Sequence, residues 1–318
     1  MDNRKRKAGG SNAETASGRA FIEVKDVDDM NLDQQLTRTR MPSPVLHEQS
    51  CEYYWKGTGN LSIKTFRNGR ALYQSGHGHF AARDNRYLLL NQGQEYSISI
   101  ESNQPVESFC VFFPKGMAEG IWRSLVQPEN ELLDEPFLAD NREIDFVSKT
   151  YGMVPSFSQM LEQMRMDSVK QIFDPPRMEE QLHELAYVLL QEHHQVKREM
   201  AKLQTVKTST REELYRRLYI GFEYLSAYYD KPIMVSEAAE AACMSMNHFL
   251  RSFKRLFGVT PYQVLKEKRL QEAKRLLRMT DLPVTEICLE VGFQSHGSFS
   301  SLFTQRFGVT PSACRGKR

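Results

Sequence analysis

The stretch HFLRSFKRLFGVTPYQVLKEKRLQEAKRLL, residues 248–277, decides the fold, because its first part occurs twice in the chain. The pattern Phe249-x3-Phe253-x3-Phe257, followed by Gly-Val-Thr-Pro, returns fifty positions later, beginning at Phe299 and followed by the same four residues. Self-similarity at a fixed interval indicates one structural unit used more than once. The sequence therefore predicts two copies of a single helical unit.

Each copy contains signals for the beginning and the end of a helix. Ser245 and Ser295 stand four residues before the first phenylalanine, where a hydroxyl can accept a free N–H of the first turn. The three phenylalanines at i, i+4 and i+8 form one buried face. Gly258 and Gly308 supply the left-handed residue that ends a helix, and Thr-Pro then begins the next one.

A shorter helical pattern precedes each copy, at 235–242 and 284–291, and a turn of three or four residues separates the two. Helix, tight turn and second helix form the unit that presents its second helix to the major groove of DNA. A preceding helix at 211–229 completes the first unit. The segment 261–278 predicts a linker helix that holds the two units at a fixed separation, about one helical turn of DNA apart. Its basic side chains are expected to face solvent. The side chains expected to pack in the core are Tyr262, Leu265, Leu270, Leu276 and Leu277.

The side chains opposite the phenylalanines are the candidate DNA-binding residues. In the first copy these are Ser245, Met246, Asn247, Leu250, Arg251 and Lys254, and in the second they are Ser295, His296, Ser298 and Ser301. Arginine pairs with two acceptors of guanine and asparagine pairs with adenine, so Arg251 and Asn247 are predicted to contact base edges. The second set predicts a weaker reading surface. The alternative for each residue is simple exposure to solvent.

The formal net charge of +2 is distributed unevenly. Residues 206–318 contain 18 Lys and Arg against 11 Asp and Glu, whereas the rest of the chain contains 24 against 29. Residues 245–278 alone have nine basic and two acidic residues. Such a density attracts a phosphate backbone, although a solvated charged face is the alternative.

Residues 212–315 resemble the C-terminal domain of the AraC/XylS transcription regulators, through the stretch 248–277 and through VTEICLEVGFQSHGSFSSLFTQRFGVTP at 284–311. The resemblance implies a seven-helix domain that binds double-stranded DNA with two helix-turn-helix units and activates transcription by contacting RNA polymerase. Cys243 stands where the family often has Gly, Ser301 where it often has Arg, and Thr304-Gln305 replace a basic pair. The second unit can therefore read bases, contact phosphates, sense DNA shape or face the polymerase.

Residues 46–113 predict a small barrel or sandwich of short strands. Strand patterns at 61–66, 70–74, 86–91, 95–101 and 107–113 alternate with turn residues such as Asn68-Gly69, Gly76-His77-Gly78 and Gln92-Gly93. The stretch RYLLLNQGQEYSISIE, residues 86–101, resembles the cupin-like sensor domain of many AraC/XylS regulators. That resemblance implies a small-molecule effector that binds inside the barrel and changes how the DNA-binding domains are held.

Two helices are predicted after the barrel, at 117–126 and 176–203. The second has an apolar stripe of Met178, Leu182, Leu185, Val188 and Leu189. The stripe either packs against its own barrel or contacts a second copy of the chain, and a homodimer is the prediction.

The expected fold class is α+β, with a cupin-like barrel and a helical dimerisation segment before an all-α double helix-turn-helix domain. The expected division is a tail at 1–40, a sensor and dimerisation domain at 41–205 and a DNA-binding domain at 208–318.

Several classes of protein are not expected. No run approaches the roughly 18 apolar residues of a membrane span, and the first residues have no signal-peptide pattern, so a bacterial cytoplasmic protein is predicted. The five cysteines form no Cys-x-x-Cys pair and predict free thiols. No cofactor, metal ion or catalytic residue is predicted, because no nucleophile elbow, phosphate loop or dinucleotide fingerprint occurs.

Two alternatives remain open. A metal-dependent cupin enzyme fused to a DNA-binding domain would use His77-Gly78-His79, yet no further histidine lies between Phe80 and Lys115. The other alternative is a DNA-binding protein that needs no ligand, for which a sensor barrel would have little use.

Overall fold

The first half of the chain is a curled antiparallel sheet in a computed structural model that describes residues 44–126, 144–172, 174–201, 203 and 208–315. Its strands are β1 (Val45–Gly59), β2 (Ser62–Arg67), β3 (Arg70–Ser75), β4 (Gly78–Arg83), β5 (Arg86–Leu90), β6 (Gln94–Phe112) and β7 (Thr150–Gly152). The strand order is β4-β3-β6-β2-β5-β7, and β1 pairs with β6. Strand β4 also approaches β5 and β7, so the sheet closes into a nearly complete barrel. The predicted barrel is confirmed.

Strand β6 differs from the prediction because it is one strand of 19 residues rather than two. Strand β1 pairs with β6 from Val45 opposite Val111 to Gly59 opposite Gln94, with a break in register between Ser50 and Glu52. Sequence patterning missed β1, since its apolar residues do not alternate regularly with polar ones. The predicted turns are present, with Asn68 and Gly93 in the left-handed region at φ 61° and 72°.

The two faces of the barrel wall have different partners, because successive side chains of a strand point to opposite sides. One face of the strands forms a buried cluster of its own, which fills the barrel interior with Phe66, Ala71, Tyr73, Phe80, Ala82, Leu88, Leu90, Tyr96, Ile98, Ile100 and Val106. The ammonium of Lys64, a buried residue, lies over the ring of Phe112 at 4.1 Å from its centroid. Aromatic and branched side chains thus occupy the space where the resemblance placed an effector.

Three helices cover the outer face of the barrel: α1 (Met117–Val126), α2 (Pro155–Val169) and α3 (Pro175–Met200). Helices α1 and α3 were predicted. The apolar stripe of α3 is buried in the same cluster as the outer barrel residues Phe109 and Val111, and Leu185 has no exposed surface. The interpretation of this stripe as a subunit contact is therefore wrong, because its own chain covers it.

Seven helices follow within residues 208–315, the number that the resemblance implies. They are α4 (Thr208–Ala227), α5 (Val235–Ala241), α6 (Met246–Phe257), α7 (Pro261–Met279), α8 (Val284–Glu290), α9 (His296–Phe307) and α10 (Pro311–Arg315). The predicted helices at 211–229, 235–242, 261–278 and 284–291 are confirmed to within a few residues.

The seven helices divide between two hydrophobic clusters. Helices α4, α5 and α6 share a core with the outer face of the barrel and with α3. Helices α8, α9 and α10 pack with the second half of α7 in a separate core around Phe299 and Phe303. The first helix-turn-helix unit is thus attached to the barrel, and the second unit has a core of its own.

Some predictions fall outside the described residues. The tail at 1–40 and the boundary between residues 205 and 208 are among them, so the division into domains stays a prediction. Cys51, Cys110, Cys243, Cys288 and Cys314 are all free thiols, as predicted. None of the helices in the described part of the chain has the length and apolar character needed to span a bilayer.

Candidate nucleic-acid interface

The second helix of each unit begins after a serine and ends at a left-handed glycine. Gly258 ends α6 at φ 74° and Gly308 ends α9 at φ 73°, and both were predicted. The Ser295 hydroxyl accepts the N–H of Ser298 at 3.4 Å. Ser245 occupies the equivalent position before α6, but its side chain makes no capping bond within the described structure. The hydroxyl cap predicted for Ser245 is wrong, although the start of the helix is correct.

The tight turns of the two units have the same backbone geometry. Cys243 donates its N–H to the carbonyl of Glu240 at 2.8 Å, and Gly292 donates to Leu289 at 2.9 Å. Both residues have positive φ, at 51° for Cys243 and 85° for Gly292. Cys243 therefore occupies a position whose backbone favours glycine, and its side chain is exposed.

The phenylalanine side chains of both helices pack into the cores of their units. Phe249 and Phe253 on α6 have no exposed surface, and neither do Phe299 and Phe303 on α9. The third member of each set is only half-buried, so the fully buried face is narrower than predicted. Phe257 stacks on Phe222 of α4 with 5.0 Å between ring centroids. These contacts fix how α6 projects from the domain.

The outer face of α6 is polar and basic. Asn247, Arg251 and Lys254 are exposed, as predicted. The Arg251 Nε donates to the carbonyl of Asn247 at 3.3 Å, so the guanidinium lies back along the helix towards its N-terminus. Met246 and Leu250 are half-buried and pack against the core. The expectation that these two point away from the core is wrong, because α4 and α5 cover more of α6 than its phenylalanine face.

The outer face of α9 is small and uncharged at its N-terminal end. Ser295, His296, Ser298 and Ser301 are exposed, and the first charged residue of this helix is Arg306. The Arg306 Nε lies 2.8 Å from Oε2 of Glu267 on α7, and this pairing lowers the pKa of Glu267. Helix α9 is therefore tied to the linker helix by an ion pair.

Two arginines hold the first unit together and were missed from the sequence. Arg217 on α4 donates to the carbonyl of Cys243 at 3.2 Å and pairs with Glu213 at 2.6 Å. Arg269 on α7 donates through Nε to the carbonyl of Tyr229 at 2.7 Å. The spacing of Arg217 after Glu213 is a helical ion-pair signal, but nothing local in the sequence identifies a distant carbonyl as a partner.

The linker helix α7 is less exposed than predicted. Arg269 and Lys268 are half-buried, whereas Tyr262, which was expected to pack, is 60% exposed. The prediction treated α7 as a rod with one covered side. In the structure the barrel and the second unit both lie against it, so the covered sector is wider and rotated.

His79, one of the two histidines considered for a metal site, has another role in the structure. Nδ1 of His79 lies 2.9 Å from the hydroxyl of Tyr228 on the segment after α4. The described ranges contain no group of three His, Cys, Asp or Glu residues arranged to hold a metal ion. His79 thus connects the barrel to the helical domain.

A family model for a helix-turn-helix domain matches residues 238–317. These residues are an AraC-type helix-turn-helix domain. The chain is 33% identical over 89 residues to a probable transcriptional regulator, LumQ, of Photobacterium leiognathi, a match to 28% of this chain and 36% of that protein. It is 31% identical over 115 residues to the transcriptional activator RhaS of Escherichia coli, covering 35% of this chain and 41% of RhaS. The chain thus spans less than half the length of these curated relatives.

Solved structures also match. The DNA-binding domain of AdpA, solved in complex with a target DNA, is 30% identical and covers 31% of this chain and 90% of that one, with a TM-score of 0.31. ToxT from Vibrio cholerae is 11% identical and covers 86% of this chain and 98% of that one, with a TM-score of 0.31.

The two second helices of the AraC-type domain are electrostatically unequal. Between Cys243 and Lys266 the chain has no acidic residue, and Arg251, Lys254 and Arg255 are all exposed on α6. The exposed N-terminal half of α9 carries only serines, a glycine and His296. The first helix can attract phosphates over a distance, whereas the second can contribute hydrogen bonds only at close range.

Proposed function

We propose that this chain is a sequence-specific, DNA-binding transcription regulator that activates its target genes in response to a small molecule. One observation carries the proposal: α6 presents an exposed basic face while Phe249 and Phe253 behind it are completely buried, and α9 repeats the same construction. A helix held in this way keeps its outer side chains at fixed positions, as reading of base edges requires. The chain acts on chromosomal DNA in the bacterial cytoplasm and has no catalytic function.

Within this function the two helices have different roles. Arg251 and Asn247 contact base edges in the major groove, and Lys254 contacts phosphate. The side chains of Ser295, His296, Ser298 and Ser301 are short, so α9 can approach the groove closely and contact phosphates or groove edges. Activation requires contact with RNA polymerase, and action as a homodimer would place two such domains on one operator.

The activator role is supported by the relative RhaS, which is named as a transcriptional activator. The aligned part of RhaS is 41% of its length. The likeness to RhaS therefore supports DNA binding by this chain more strongly than it supports activation.

The decisive experiment is selection of DNA by the full-length protein, both from random duplexes and by genome-wide mapping of bound sites. We expect one enriched motif common to both, with an affinity that falls steeply as salt concentration rises. Uniform recovery of all sequences would contradict the proposal and would favour the alternative of a DNA-binding protein that needs no ligand. Target genes from the map would also indicate the chemistry of the effector.

The enzyme alternative has its own test. We expect purified protein to hold no stoichiometric iron, zinc or manganese by elemental analysis. One equivalent of metal that is lost in His79→Ala but kept in the control His183→Ala would revive the metal-dependent cupin, since His183 is exposed on α3.

A further inference from the structure

A cavity of about 810 Å³ lies between the barrel and the AraC-type domain. The barrel contributes residues of β4, β5 and β7, and the helical domain contributes residues of α4, α7 and α9. Cavities of roughly 300–1,000 Å³ are the size that holds small organic ligands. The barrel interior, by contrast, is filled by its own side chains. The cavity between the two halves is thus the better candidate for an effector site.

The wall of the cavity is predominantly cationic. It carries five basic side chains, Arg83, Arg86, Lys266, Lys268 and Arg306, and one acidic side chain, Glu267. Arg306 and Glu267 neutralise each other as an ion pair at 2.8 Å, and Arg83 lies 3.6 Å from Glu272 behind the wall. These four side chains already have partners of opposite charge.

Of the other three basic side chains, Lys266 is exposed, and Arg86 and Lys268 form no ion pair with any residue that the structure describes. The Arg86 guanidinium donates only to the neutral Thr150, through Nε to its hydroxyl at 2.9 Å and through Nη2 to its carbonyl. Half-buried Lys268 has neither a hydrogen bond nor an ion pair with any residue that the structure describes. Glu223 is close to both but is completely buried, its pKa is raised by burial, and its oxygens are taken by Thr150.

The surroundings of Lys268 disfavour its own charge. Burial, together with the neighbouring Arg83 and Arg86, lowers the pKa of the Lys268 ammonium to about 7. A half-buried cation of this kind is stabilised by a negative charge brought next to it. The remaining cavity wall is apolar where Phe222, Val264 and Leu302 line it.

We propose that this cavity is the effector site and that its ligand is an organic acid, with the carboxylate between Lys268 and Arg86 and an apolar body against Phe222, Val264 and Leu302. Arginine and lysine together match the charge and the hydrogen-bonding geometry of a carboxylate. Because the wall comes from both halves of the molecule, an occupied cavity fixes α7 and α9 relative to the barrel. This regulatory consequence rests on the proposed function, but binding of the acid does not.

The test uses full-length protein without DNA. The probe is 8-anilinonaphthalene-1-sulfonate, an aromatic anion whose fluorescence rises in an apolar site, and the competitors are 3-phenylpropanoate and its neutral counterpart 3-phenylpropanol. We expect one probe site per chain, displaced by the acid and not by the alcohol. Lys268→Gln should weaken probe binding at least tenfold, and Ser226→Trp should abolish it by filling the cavity. The matched control is Arg278→Gln, which removes one charge from an exposed position of the same helix outside the cavity.

The proposal is overturned if the wild type binds no stoichiometric probe, if the alcohol displaces the probe as well as the acid, or if Lys268→Gln binds the probe like the wild type. Melting curves show whether each variant is folded, and loss of binding counts only for variants that melt normally. Ser226→Trp repeats the test without altering any charge. Failure of DNA selection would leave all these outcomes unchanged, so the two proposals fail separately.

Discussion

At the scale of single residues, Gly221 shows how closely α4 and α6 pack. A Cβ at this position would lie 2.5 Å from the ring of Phe249 and 3.0 Å from the carbonyl of Ala238. Because Phe249 is fully buried, its ring cannot move away without disturbing the core beneath α6. The close approach therefore fixes the distance between α6 and the helix that carries it.

Gly221→Ala should lower the free energy of unfolding by about 1 to 2 kcal/mol, because overpacking outweighs the better helix propensity of alanine. The matched control is Gly120→Ala on α1, where a Cβ would meet no atom within 4 Å. That variant should gain up to about 1 kcal/mol. Urea unfolding of both proteins is the measurement, and an equal gain in both would show that α4 and α6 do not touch as described.

Arg251→Ala should weaken binding by about 1 to 3 kcal/mol at one base position and relax sequence preference there. Lys254→Ala, by comparison, should weaken binding to all sequences alike and reduce the salt dependence. Competitive binding to a panel of single-base variants of the selected site separates the two effects. An unchanged preference in Arg251→Ala would remove its assignment as a base-reading residue.

At the scale of elements, the two helix-turn-helix units are built alike but supported differently. The core of α6 continues into the outer face of the barrel, whereas the core of α9 is limited to α7, α8, α9 and α10. The same phenylalanine therefore has different consequences in the two copies.

Phe253→Ala and Phe303→Ala each delete a fully buried aromatic ring and should each cost about 3 to 5 kcal/mol locally. Loss of Phe253 should destabilise the first unit together with the barrel in one transition. Loss of Phe303 should unfold the second unit first and leave the barrel folded. Hydrogen exchange resolved along the chain is the measurement. If both variants lost protection in the same residues, the two cores would not be separate.

Helix α3 contains a histidine that makes stability depend on pH. His193 is buried, with Phe146 at 5.2 Å in an edge-on contact, and its Nδ1 has no hydrogen-bond partner in the described residues. Burial, and then Lys197 and Arg216, lower its pKa to about 4, while Glu212 opposes this shift. The folded protein therefore holds this ring neutral at pH values where an unfolded chain would protonate it.

This contribution to stability is fully present above pH 6.5 and is lost as the pH falls towards 4, because the unfolded chain then binds the extra proton. The loss from this residue should be roughly 3 kcal/mol. His193→Leu should remove that part of the pH dependence, whereas His194→Leu, at an exposed position of the same helix, should not. The measurement is the urea concentration at the midpoint of unfolding between pH 4 and 7.5. If this midpoint depended on pH in the same way in the wild type and in His193→Leu, the assignment would be contradicted.

At the scale of the whole molecule, several polar contacts join the barrel to the helical region 208–315, and three of them begin on β3 and β4. Arg70 of β3 pairs with Asp230 at 2.6 Å, Arg83 of β4 lies 3.6 Å from Glu272, and His79 bonds to Tyr228. The contacts of Arg70 and His79 reach the segment that follows α4, and the contact of Arg83 reaches α7. The linker helix is therefore positioned by the barrel as well as by the second unit.

A double-mutant cycle on Arg70→Ala and Asp230→Ala should show a coupling of about 1 kcal/mol in urea unfolding, since both side chains are half-buried. The exchanged pair Arg70→Asp with Asp230→Arg should recover part of the loss. A pair between β1 and β6 of the barrel, Lys56 with Glu95, is highly exposed and should show almost no coupling. Additive losses in the first cycle would mean that the barrel is not docked through this contact.

The sequence by itself determined the repeat, the limits of α6 and α9 and the exposure of Asn247, Arg251 and Lys254. These follow from local signals, because capping residues, left-handed glycines and the spacing of phenylalanines act within one or two helical turns. The tertiary structure alone decided that Met246 and Leu250 are covered, that the stripe of α3 packs on its own chain and that Lys268 faces a cavity. Those outcomes depend on surfaces brought together from distant parts of the chain, and periodicity can show that a face will be buried but not which surface will cover it.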